Sequence, residues 1–188
     1  MKDQGFTLIE LLVVSSIFIT LVALAIPTFK ESRERAILSA ASSKLLSSIH
    51  LARSRSINLS KDVILCGSIK GTECDQQWSK GIMVFIDNNH DGSYDDENDA
   101  RESFRSVDFE KLSISWKSFR GDKPIKFLPS GITWHQNGTF ILCLDNNPKY
   151  AKAITLTKSG RARLSIDSDN DGIDELRDEK PIECSKQR

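Results

Sequence analysis

From Phe6 to Phe29 the chain carries one ionisable side chain, Glu10, whereas charged residues are frequent from Lys30 onward. As a helix rising about 1.5 Å per residue, this segment reaches about 36 Å, enough to cross a bilayer core of about 30 Å. A cleaved secretory signal has a shorter apolar stretch, a basic leader and a small-residue cleavage site. Here the polar leader MKDQG is five residues long and the apolar span is too long for the core of a secretory signal. A plain anchor leaves Glu10 unexplained, because a carboxylate inside a membrane helix costs about 2.5–3.5 kcal/mol near the bilayer centre.

The residues around that acid, GFTLIELLVV, resemble the processing signal of type IV pilins and type II secretion pseudopilins. The resemblance implies cleavage between Gly5 and Phe6 by a prepilin peptidase on the cytoplasmic face, and N-methylation of Phe6. Glu10 becomes the fifth residue of the mature chain, and Pro27 sits where many such helices carry a proline. In a filament core, the new amino group of a neighbouring subunit's Phe6 is expected to pair with Glu10. A polar group that is costly alone and satisfied by a partner favours assembly and fixes axial register.

After Pro27 the helix is expected to continue in water. Ile37, Ala41, Leu45, Ile49 and Ala52 recur at three- and four-residue steps, which marks one face of an amphipathic helix. From Lys61 the pattern turns β-like, with apolar or alternating runs at 63–66, 81–86, 111–116, 124–128, 138–144, 153–157 and 162–166. Gly, Asn, Asp and Pro cluster between them. The expected class is α+β: a long N-terminal α-helix packed on an antiparallel β-rich head, either one twisted sheet or a small sandwich. The segments are a leader at 1–5, a transmembrane or filament-core helix at 6–29, an amphipathic helix at 30–60 and the head at 61–188.

CGSIKGTEC, WSKGIMVFIDNNHDGSYDDEN, NGTFILC and ITLTKSGRARL make the head similar to the GspH/FimT/FimU branch of minor pilins and pseudopilins. The four cysteines, Cys66, Cys74, Cys143 and Cys184, suit an oxidising periplasm. Three connectivities are open, and the favoured one joins Cys66 to Cys74 and Cys143 to Cys184. The second bridge closes a loop of about 40 residues and restricts the unfolded chain by about 3–4 kcal/mol. A zinc site competes poorly without CxxC pairs.

Two acidic loops are candidate calcium sites, with oxygen donors at alternate positions before a glycine. The first offers Asp87, Asn89, Asp91 and Asp95; the second offers Asp167, Asp169, Asp171, Glu175 and Asp178. The same composition forms bare turns without metal. Gly160-Arg161-Ala162-Arg163 resembles the GRxR signature through which some FimT-type minor pilins bind DNA, which carries Arg161 and Arg163 over as candidate contacts. Lys158 joins them on charge alone. With 26 basic and 26 acidic side chains, no global field recruits polyanions, so any DNA contact is local, independent of sequence and salt-sensitive.

His50, His90 and His135 are scattered and GxSxG is absent, so no enzymatic activity is expected. Trp78, Trp116 and Trp134 are expected in the core or at edges. No cofactor is required, calcium being the candidate ion. The family resemblance implies a minor type IV pilin, held in the inner membrane with its head in the periplasm and then carried in a surface pilus near its tip. Its partners would be the peptidase, major and minor pilins, and double-stranded DNA. A type II secretion pseudopilin of the GspH type is the alternative. A membrane-anchored calcium-binding surface protein is a second, and that reading predicts no peptidase processing.

Overall fold

The computed structural model describes residues 7–118, 121, 123–176 and 180–184. Gly5, Phe6 and Asp178 lie outside these residues. One long helix, α1 (Leu8–Leu59), precedes the eight strands found among the described residues. It stops where Ser60 takes the left-handed conformation at φ 53, a common way for a helix to end. The chain divides into two compact units, one ending at Ala36 and the other beginning at Ile37.

In the first unit the apolar side chains of α1 are exposed, from Leu8 at 77% to Phe29 at 80%. In the second, Leu38, Ala41, Leu45, Ile49 and Ala52 are buried and Ile37 is half-buried. The three- and four-residue spacing thus becomes a core-facing stripe.

The strands form two antiparallel four-stranded sheets. Sheet A has the order β3-β2-β1-β5, from β1 (Val63–Gly67), β2 (Gly81–Ile86), β3 (Ala100–Ser106) and β5 (Ile125–Phe127). Sheet B has the order β4-β6-β7-β8, from β4 (Leu112–Ser118), β6 (Gly138–Leu144), β7 (Ala151–Leu156) and β8 (Ala162–Leu164). The helix stripe and one face of each sheet share a core that includes Leu65, Val84, Phe127, Trp116, Phe140 and Ile154. Phe140 lies between Trp78 and Trp116, with ring centroids at 4.8 and 4.3 Å. Trp134 departs from expectation: it is 52% exposed.

Each sheet also has an apolar cluster on its outer face. On sheet A, Ile64, Cys66, Met83 and Phe85 lie with Cys74, Tyr94 and Phe104. On sheet B, Ile141, Cys143, Ala151 and Ala153 lie beneath Ile182, Leu176 and Cys184. The bridges Cys66–Cys74 and Cys143–Cys184 each fasten a covering segment to one of these faces. This explains why β2 is buried at every position instead of alternating. Strand β3, ARESFRS, escaped the sequence reading because it is an edge strand rich in charge, the composition that guards edges against unwanted pairing.

Candidate functional site

At the start of α1, Thr7 and Glu10 form a reciprocal cap. The Thr7 N–H and O–H donate to Glu10 Oε2 at 2.9 and 2.8 Å, and the Glu10 N–H donates to Thr7 Oγ1 at 3.3 Å. This is a capping box, and T-x-x-E was its legible sequence signal. The acid is therefore engaged within its own chain at the helix start.

The GRAR motif occupies the β7–β8 hairpin. The Thr157 N–H donates to the Arg161 carbonyl at 3.0 Å, and the Gly160 N–H closes the turn onto the Thr157 carbonyl at 2.9 Å. Gly160 has φ +74, and a Cβ there would lie 2.1 Å from the Gly131 carbonyl oxygen, so only glycine fits. That oxygen also accepts from Arg53 Nε at 3.2 Å. Ala162 is half-buried against the core, and alternation directs Arg161 and Arg163 the other way, about 7 Å apart. Both are exposed, as is Lys158, and none of the three side chains has a polar partner among the described residues. Arg163 and Glu175 share a groove of about 380 Å³ with Thr155 and Thr157.

The second acidic loop gathers its donors. One carboxylate oxygen from each of Asp167, Asp169, Asp171 and Glu175 lies within 4.8 Å of the others. Backbone N–H groups hold the acids in place. Gly172 donates to Asp167 at 2.9 Å, Asp171 to Asp169 at 3.1 Å and Ser168 to Glu175 at 2.8 Å. Asp167 Oδ1 is buried without a hydrogen-bond partner. Such a set of hard oxygen donors suits calcium chemically.

The first loop uses its acids differently, and no comparable cluster forms there among the described residues. Asp95 accepts the N–H groups of Asn98 and Glu97, and these bonds, Asn98 foremost, hold its carboxyl below the ordinary value. The Asn89 amide donates to Asp91 and to Asp95. Asp87 is fully buried and faces Lys126, whose Nζ lies 3.2 Å from its Oδ2 and 3.0 Å from Asp62 Oδ2. Neither Asp87 oxygen has an aligned hydrogen bond, so charge attraction is what holds this contact. Burial works against the Lys126 ammonium, but Asp62 and Asp87 outweigh it and raise its pKa above the ordinary lysine value.

An apolar stretch of α1 exposed from Leu8 to Phe29, followed along the chain by a disulfide-tied two-sheet head, is the make-up of a pilin-class subunit. The family model described as type II transport protein GspH matches residues 41–160, and the prokaryotic N-terminal methylation motif matches residues 1–26. The chain belongs to the GspH family. Membership implies processing by a prepilin peptidase and assembly with other pilins. In structure it is similar to the type IV minor pilin FimU of Pseudomonas aeruginosa, at 17% identity and a TM-score of 0.55, covering 84% of this chain and 99% of that one. The minor pseudopilin EpsH of the Vibrio cholerae type II secretion system is similar at 15% identity and a TM-score of 0.48, covering 66% of this chain and 92% of that one. None of the curated proteins matches it in sequence.

Removing Lys126 leaves Asp87 buried without a counter-charge. Lys126→Met is expected to cost about 3 kcal/mol in denaturant unfolding, the low end for a broken buried pair because the ammonium is still 22% exposed. Since the folded pKa is raised, this stabilisation is full below the ordinary lysine value of about 10.5 and is lost as pH rises through the higher folded value. Equal stability of variant and parent at neutral pH contradicts the assignment.

Proposed function

We propose that the chain is a minor type IV pilin that anchors in the inner membrane with its head in the periplasm. It then enters a pilus near its tip and captures double-stranded DNA through Arg161 and Arg163, with Lys158 at the same hairpin. Assembly runs through Glu10, whose carboxylate, pre-positioned by Thr7, meets the amino group of a neighbour's Phe6. The observation that carries the DNA role is the pair of unengaged arginines on one side of a rigid hairpin. Elsewhere, Arg55 of α1 and Lys80, Lys111 and Lys152 of the head are paired with Glu102, Asp108, Asp145 and Asp174. The guanidinium fork suits phosphate oxygens, and such contacts carry affinity without sequence preference. A GspH-type secretion pseudopilin would share the assembly chemistry and leave these arginines without a ligand.

The acidic loop beside Arg163 opposes phosphate. Calcium held by Asp167, Asp169, Asp171 and Glu175 offsets part of their negative charge and weakens that repulsion, so DNA capture is read as calcium-promoted. The full chain in nonionic detergent is expected to bind a short duplex, more tightly in millimolar calcium and more weakly as salt rises. Arg161→Gln with Arg163→Gln should lower affinity at least tenfold, since two phosphate contacts are lost together. Unchanged binding by the double variant rejects the DNA role. Mass spectrometry of the mature chain should find N-methylated Phe6 as its first residue; an intact Met1 supports the membrane-anchored surface protein instead.

A further inference from the structure

The register of sheet B aligns four residues directly across its strands: Lys117 opposite Thr139, Thr139 opposite Thr155, and Thr155 opposite Arg163. The neighbouring row, Trp116, Phe140 and Ile154, is buried in the shared core. Because side chains alternate, the Lys117-to-Arg163 row stands on the outer face. The segment fastened by Cys143–Cys184 covers the far end of that face, over Ile141, Cys143, Ala151 and Ala153, and its Glu175 and Leu176 border the groove beside Thr155 and Arg163. Lys117 and Arg163 are exposed, and Thr139 and Thr155 are half-buried.

Three strand spacings of about 4.8 Å place Lys117 about 14 Å from Arg163. That is the axial rise of about four nucleotides at about 3.4 Å each. Like Arg161 and Arg163, Lys117 has no polar partner among the described residues. Within the row, the residues between the two cations are threonines, whose hydroxyls donate hydrogen bonds to phosphate oxygens and add no charge; Glu175 borders the groove at the Arg163 end.

We propose that the polyphosphate surface is the whole exposed strip of sheet B, with Lys117 as a second anchor remote from the hairpin. The proposal rests on the reading of Arg161 and Arg163 as DNA contacts and extends it from a clamp to a four-strand platform. A duplex would then lie across the strands, bridging the edge strand β4 and the hairpin. A lysine on an edge strand also guards against edge pairing, a role that leaves DNA affinity untouched. The two roles therefore separate by measurement.

The test uses the full chain in nonionic detergent and fluorescence anisotropy of a short duplex over a range of salt. Lys117→Gln is expected to weaken binding severalfold and to reduce the slope of log affinity against log salt by about one. Thr139→Glu, which puts a carboxylate in the middle of the row, should weaken it at least as much. Lys70→Gln removes an exposed, unpartnered lysine in the loop after β1 of the other sheet and should change neither quantity. If Lys117→Gln keeps the parental affinity and slope while the double arginine variant loses binding, the platform is wrong and the hairpin acts alone. If the double arginine variant itself binds like the parent, the hairpin reading falls, and the platform with it.

Discussion

The structure depends on one imbalance in α1: its residues from Leu38 onward bury an apolar stripe, and those from Leu8 to Ile26 leave theirs exposed. From Leu38 onward the stripe is closed by both sheets, so this half is the centre of a core like that of any small α+β domain. Between Leu8 and Ile26 the large apolar side chains remain open, with exposures from 38% at Val22 to 77% at Leu8. Contiguous apolar surface of this extent has to be met by lipid or by other helices. Among apolar helices in lipid, burial gives little directional preference, so the register must come from packing and from polar contacts. Glu10 is the single ionisable group in the segment that can supply one.

The head solves a related problem of scale. Its two sheets are short, and both outer faces carry apolar residues that no further regular element covers among the described residues. Irregular segments do that work, and each is secured by a disulfide placed where the chain crosses the face. One consequence is functional. The segment fastened at Cys184 packs over Ile141, Cys143, Ala151 and Ala153, and the polar row from Lys117 to Arg163 lies beside that closed apolar patch.

Much of this was legible in the sequence because the signals were periodic or chemical. The stripe from Ile37 to Ala52 and the strands carrying VILC, GIMVFI and GTFILC announced themselves by spacing and by β-branched or aromatic content. What escaped was set by tertiary context. Strand β3 lacks an apolar pattern because an edge needs none. Trp134 is exposed while Trp78 and Trp116 are buried, and composition does not distinguish the three. The acidic loops look alike as strings. They diverge because the Asp87 side chain is drawn to Lys126 of β5, whereas Asp167 is turned into its own loop by the Gly172 N–H. Lys117 became informative only through strand register, which no local pattern specifies across four strands.

The most direct test of the account is competitive assembly of Glu10→Gln with the parent chain. Glutamine keeps an oxygen for the Thr7 donors, so the helix start is retained, while the charge offered to a neighbouring amine is removed. In cells making both chains at equal inner-membrane levels, filaments should contain the parent in large excess over the variant. Equal proportions of the two in the fibres would contradict the claim that an acid in the apolar half of α1 is there to be met by another subunit.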